Sequence, residues 1–232
     1  MNHSQAKYLE AMDIDVFKLR EAWNTSNMDT DVPLKNDETE DRTVDRPNLE
    51  HTNWEELEQK IKACTLCPLH KSRINTVMGV GNRQADLLII GEAPGANEDK
   101  QGEPFVGRAG KLLDAMLQAI GLSRDKIYIA NILKCRPPNN RDPLPSEVAC
   151  CTPYLKQQID WLKPKLIVAV GRIAAHFLLE TDKSLGSLRG YEHEYNGIPL
   201  IITYHPAYLL RSPLQKAKSY EDLVRIRAKL NK

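Results

Sequence analysis

The side chains best suited to chemistry fall into two groups. Five cysteines form the first. Cys64 and Cys67 make a C-x-x-C, which presents two thiols from one turn. Cys135 and Cys151 lie further on, with Cys150 beside the latter. Four thiolates suit a tetrahedral zinc ion or an iron–sulfur cluster. The second pair spans a proline-rich stretch, "CRPPNNRDPLPSEVACC", rather than a second short knuckle, which suits a larger cluster slightly better. Buried, unligated thiols are the plain alternative, and a disulfide scaffold does not fit this composition. The second group is "GEAPGANEDKQGEPFVGRAGK", residues 91–111, with five glycines, two prolines and a single aromatic, Phe105. Glycine loops at such junctions commonly hold phosphate, but Glu92 and Glu98 are poorly placed company for an anion.

These groups need a scaffold, and the hydrophobic pattern supplies one. "ADLLIIG" (85–91), "KIYIANIL" (126–133), "KLIVAVG" (165–171) and "IPLIITYH" (198–205) read as buried strands. Between and after them, 107–121, 146–163, 172–180 and 213–230 carry helical patterns, and "TNWEELEQKIKA" opens on a helix-capping signal. Continuous apolar strands alternating with helices predict a three-layer α/β/α sandwich around a four-stranded, mostly parallel sheet. Ligands in such sheets bind beyond the carboxyl ends of the strands. The loops there are the glycine loop, "LKCRPPNNRDPLP", "GRIAA" and "HPAYLLRSP", so the unusual residues gather at one edge.

Net charge is +1, unevenly spread. Residues 1–50 hold 6 Lys/Arg against 12 Asp/Glu, leaving 26 against 19 for the rest. The mildly basic remainder permits an anionic partner such as nucleic acid. Residues 5–23 read as an amphipathic helix and 24–50 as an acidic, disordered linker, with one domain over 51–232. No apolar run approaches the ~20 residues of a membrane span, so the expectation is a soluble, cytoplasmic protein.

Taken together and in order, "CTLCPLH", "GEAPGANED", "GEPFVGRAGKLLD", "NILKCRPPNNRDPLPSE", "CTPYL", "VAVGRIAA" and "HPAYLLR" resemble the family 4 uracil-DNA glycosylases, the iron–sulfur type of bacteria and archaea. The resemblance spans roughly 54–230. It implies a structural [4Fe–4S] cluster on Cys64, Cys67, Cys135 and Cys151. Cys151 rather than Cys150 fits because the family ligand directly precedes the segment seen here as "TPYL". It also implies uracil-containing DNA as partner, a monomer, and work at the bacterial or archaeal nucleoid.

Uracil release places positive charge on the sugar and negative charge on the base. The resemblance therefore gives Asn131 the reading of the base edge, His205 a donor to uracil O2, and Phe105 a stacking face. Gly91 and Gly95 allow close backbone approach to the base or sugar, with Ala93 the third expected substrate-binding position of the loop. Of the carboxylates, Glu98 is the expected acting acid and Glu92 the brace. Ala93 stands where related families carry a water-activating Asp, and Gly95 near the place of a thymine-excluding Tyr. Leu209 or Leu210 is the expected wedge into the duplex. Arg211, Arg172 and Arg189, with Lys134, Arg136 and Arg141, are the expected phosphate contacts. No lysine occupies an evident Schiff-base position, so excision without strand cleavage is expected. A non-excising uracil-DNA binder of the same superfamily is the alternative reading, and an electron-transfer iron–sulfur protein a more distant one.

Overall fold

The computed structural model describes residues 47–50 and 52–231. The helix read over 5–23 and the linker residues 24–46 lie outside them. Among the described residues, six strands form one sheet: β1 (Val80–Gly81), β2 (Leu87–Gly91), β3 (Tyr128–Asn131), β4 (Leu166–Val170), β5 (His193–Tyr195) and β6 (Ile198–Thr203), in the order β1-β3-β2-β4-β6-β5. The four central strands are the expected ones and run parallel, with Leu88 opposite Tyr128 and Ile167, and Ile167 opposite Leu200. The expected four-stranded sheet is thus corrected to six by two antiparallel edge strands. β5 enters through an Asn196–Gly197 turn with φ of 50° and 78°, the positive values that two-residue hairpins require.

The helices are α1 (Trp54–Ala63), α2 (Ala96–Gln101), α3 (Arg108–Gln118), α4 (Pro145–Leu162), α5 (Arg172–Leu179), α6 (Leu185–Leu188), α7 (Pro206–Arg211) and α8 (Lys216–Leu230). Every residue of β2, β3 and β4 is buried, as expected for strands covered on both sides. Alternate residues face opposite ways. Leu88, Ile90, Ile167, Ala169 and Ile202 meet α1, α4 and α5 through Leu57, Ile61, Leu155 and Ala174. Leu87, Ile89, Ile129, Val168 and Ile201 meet α3, α7 and α8 through Leu113, Leu117, Leu209 and Ile226. Asn53 caps α1, its Oδ1 accepting from the Glu56 amide at 2.9 Å, and Leu49 packs against the core just ahead of it. Among the described residues no helix is long and apolar enough to cross a membrane.

Candidate active site

A cavity of about 440 Å³ opens at the carboxyl edge of the sheet. Glu92, Ala93, Pro94, Gly95, Glu98 and Phe105 from the β2 loop line it, with Asn131 at the end of β3 and His205 after β6. Pro137, Asn140, Arg141 and Asp142 of the β3 loop close one side, and Ala207, Tyr208 and Arg211 of α7 another. Gly91 makes this possible at the end of β2. A Cβ there would stand 2.4 Å from Asn131 Oδ1 and 2.9 Å from the Phe105 ring.

Asn131 is 2% exposed, and its Oδ1 is buried without a hydrogen-bond partner. Native proteins rarely leave such an acceptor unpaired, because desolvation costs about 1–3 kcal/mol. Its backbone is fixed by Lys134, whose Nζ donates to the Asn131 carbonyl at 2.9 Å, to Gln158 Oε1 at 2.6 Å and to Met78 O at 3.2 Å.

His205 caps α7, with Nδ1 accepting the Ala207 amide at 3.1 Å. A nitrogen that accepts an amide proton holds none of its own, so the neutral ring carries its proton on Nε2. Burial, reinforced by the Arg211 charge and opposed by Glu98, pulls the imidazole down to about 4. His205 is therefore a neutral donor at physiological pH. Gly171 admits it: its φ is 95°, and a Cβ there would come 2.9 Å from His205 Cβ. The rings of His205 and Phe105 lie 5.6 Å apart, tilted by 32°.

The two carboxylates differ. Glu98 Oε1 accepts the amides of Val106 and Gly107, each at 3.0 Å, and so braces the glycine loop. Its Oε2 fills the space beside Gly95, where a Cβ would approach to 2.7 Å. Glu92 sits half-buried on the cavity wall. Burial, with repulsion from Asp142 and partial relief from Arg172, raises its carboxyl to about 7.

Several expected DNA contacts are corrected by burial. "HPAYLLR" is a helix rather than an open loop, with His205 as cap and Pro206 in its first turn. Helical spacing turns Leu209 inward, 1% exposed, so it cannot enter a duplex. Leu210 is half-buried and Tyr208 exposed. Arg189 is inside: it pairs with Asp222 at 2.8 Å, donates to Lys218 O at 2.6 Å, and lies 4.2 Å over the Tyr204 ring. Lys134 is 1% exposed and meets backbone and Gln158 instead of phosphate. Arg141 is forked onto Glu147, and Arg136 donates to Asn140 Oδ1 at 2.8 Å. Arg172 stays exposed at the start of α5, paired with Asp142 at 2.7 Å. Asn140, Asp142 and Tyr208 are cavity residues that sequence reasoning did not single out. The clue was present in the crowded polar run "PPNNRDP", where Asn139 and Asn140 both adopt positive φ.

The cysteines collect between α1, the β3 loop and the start of α4. Cys64, Cys67, Cys135, Cys150 and Cys151 surround one apolar hollow with Ile61, Leu69 and Tyr154. Arg73 donates to Cys135 Sγ at 3.1 Å and the Lys134 amide to Cys151 Sγ at 3.2 Å, while the Cys150 thiol turns to Leu66 O at 3.4 Å. Among the described residues no three such side chains close on a single point as for one metal ion. Burial pushes the free thiols of Cys67 and Cys151 up, to about 11 and about 12, so metal binding there must displace protons.

The family model for the uracil DNA glycosylase superfamily matches residues 78–230. A type-4 uracil-DNA glycosylase of Archaeoglobus fulgidus is 46% identical over 176 residues, covering 72% of this chain and 88% of that protein. The type-4 enzyme of Thermotoga maritima is 43% identical over 177 residues, covering 71% and 92%. A type-5 uracil-DNA glycosylase of Thermus thermophilus is 28% identical over 184 residues, covering 63% and 84%. With a cavity at the carboxyl edge of a parallel sheet and this degree of likeness, the chain belongs to the uracil DNA glycosylase superfamily, beside its type-4 members.

Proposed function

We propose that the protein hydrolyses the bond between uracil and deoxyribose in DNA, releasing the base and leaving an abasic site for repair. The observation that carries this reading is the buried, unpartnered Oδ1 of Asn131 in the same cavity as the neutral His205 donor. Uracil presents N3–H between two carbonyl oxygens. Asn131 can accept from N3–H and donate to O4, whereas cytosine reverses that pattern. The Nε2–H of His205 faces O2, where negative charge grows as the base departs. The target nucleotide must leave the duplex to reach this cavity, and Phe105 supplies the face on which the base lies.

The carboxylate roles follow from their bonding. Glu92, raised to about 7 and exposed to the cavity, is the acid that orients the attacking water and stabilises the cationic sugar. Glu98 shapes the loop through the Val106 and Gly107 amides, the reverse of the division expected from sequence. Its second oxygen, beside Gly95, supports a narrow wall against the thymine methyl.

Arg211 and Arg172 hold the flanking phosphates, and Tyr208 with Leu210 fills the gap left by the base. Cys64, Cys67, Cys135 and Cys151 fit a [4Fe–4S] cluster: they share one apolar hollow, Arg73 and the Lys134 amide donate to two of them, and Cys150 has turned to a carbonyl. Such a cluster, when bound, neither receives nor supplies electrons in hydrolysis and serves to tie α1, the β3 loop and α4 together. The protein acts as a monomer on nucleoid DNA in this reading.

The test is incubation with uracil- and thymine-containing oligonucleotides, followed by alkaline cleavage of abasic sites. Cleavage of the uracil strand alone is expected. No product from either strand would sink the reading.

A further inference from the structure

Phe105 stands in an uncommon conformation. Its φ is 55°, the left-handed region where bulky side chains are seldom found. Nothing in the residue itself favours that state, so its surroundings must impose it. Two contacts hold the turn from the α2 side: the amides of Val106 and Gly107 donate to Glu98. The opposite side is held by one residue. Arg124, in the short turn ahead of β3, donates from Nη1 to Pro104 O at 3.0 Å and from Nη2 to Phe105 O. Its Nε donates to Asp114 Oδ1 of α3 at 2.5 Å, which fixes the plane of the fork. Gly110 leaves room for the turn, since a Cβ there would lie 1.6 Å from Phe105 O. Neither Arg124 nor Asp114 lines the cavity.

We infer that Arg124, oriented by Asp114, is a positioning residue for uracil excision: by gripping the two carbonyls at Pro104 and Phe105 it holds the Phe105 ring as the floor beneath the flipped base. This rests on the reading of Phe105 as the stacking face. A guanidinium is suited to the task because its rigid fork can serve two acceptors and a carboxylate at once, which a lysine ammonium cannot do in one plane. Arg124 is therefore a structural cation rather than a phosphate contact, its three donor nitrogens committed to Pro104 O, Phe105 O and Asp114.

The test is a double-mutant cycle in the full-length protein, read by single-turnover excision. Arg124→Gln is expected to slow excision about tenfold and to weaken inhibition by free uracil about as much, while adding less than about twofold to Phe105→Ala. Arg124→Lys should recover little of the loss. Asp114→Asn keeps the carbonyl bonds but frees the fork, so a loss of about threefold with the same non-additivity is expected. Hydrogen exchange provides a readout independent of activity: residues 104–108 should lose protection in Arg124→Gln while β2 and β4 keep theirs. Unchanged exchange at 104–108 overturns the inference, as does a loss that multiplies in full with that of Phe105→Ala. An Arg124→Gln protein too unstable to assay leaves Asp114→Asn to decide by the same cycle. A wild-type protein that excises no uracil defeats the functional reading instead, and the exchange measurement then still judges the grip on the turn.

Discussion

The cavity and the cysteine hollow lie along the same end of the sheet, yet their polar groups are treated in opposite ways. Around the cysteines, donors have been recruited: Arg73 and the Lys134 amide each reach a sulfur, and Cys150 has found a carbonyl. In the cavity, Asn131 Oδ1 is left without a partner, and Glu92 is half-buried beside another carboxylate, Asp142. Lys134 joins the two regions, its side chain steadying Asn131 while its amide meets Cys151. The contrast separates groups that maintain the structure from groups held ready for a substrate. A buried polar group that the fold fails to satisfy is a stronger pointer to function than its residue type.

The sharpest way to break this contrast is to remove the ready groups. Asn131→Ala and His205→Ala should each lower single-turnover excision about a thousandfold, with melting behaviour and visible absorption close to wild type. A large fall in stability with little loss of rate would place Asn131 with the structural groups instead. On the other side, Cys151→Ala should abolish the broad absorption near ~400 nm of an iron–sulfur cluster, and Cys150→Ala should retain it. Equal loss in both would mean that the two neighbouring thiols are not distinguished as described.

Arginines extend the comparison to the surface. Arg189 and Asp222 form a buried pair, so Arg189→Ala should cost about 3 kcal/mol in denaturant unfolding without changing the salt dependence of DNA binding. Arg211 lines the cavity mouth, and Arg211→Ala should do the opposite: little change in stability, with the salt slope of DNA affinity reduced by about one.

Glu92 gives a pH signature of intermediate size. If its anion orients water, kcat/KM should climb about tenfold per unit of pH below 7 and level off above it, and Glu92→Gln should lower the plateau and flatten the limb. Stability has the opposite sign. A carboxyl raised from 4.5 to about 7 in the folded state contributes stability below 4.5 that is lost as pH rises through 7. Glu92→Gln should therefore melt higher than wild type above pH 7, with the gap closing in acid. His205, depressed to about 4, should add no limb near 6.5.

Much of this was legible in the chain. The four central strands announce themselves because strands covered on both faces must be apolar throughout, as Leu87–Ile90 and Leu166–Val170 are. β1 and β5, with two and three residues, are too short to display a period. Asn196–Gly197, a dipeptide favourable to two-residue hairpins, marks the turn that joins β5 to β6. Position at the strand ends marked Asn131 and His205, and a lone aromatic in the glycine loop marked Phe105; all three line the cavity. Orientation was not legible. Reading "HPAYLLR" as an open loop gave no means to choose between Leu209, which helix α7 turns into the core, and its neighbours. Nor could residue type separate Arg189, sunk against Asp222, from Arg211 at the cavity mouth. The proposed exchange of roles between Glu92 and Glu98 likewise depends on which backbone amides fold back to meet the carboxylate, here those of Val106 and Gly107 on Glu98.

The shortness of β1 and β5 has a further consequence. A sheet's outermost strands are where foreign chains can add on by backbone pairing, and long flat borders invite filaments. Among the described residues the border strands are two and three residues long. Borders this brief give a second copy little backbone on which to add a strand.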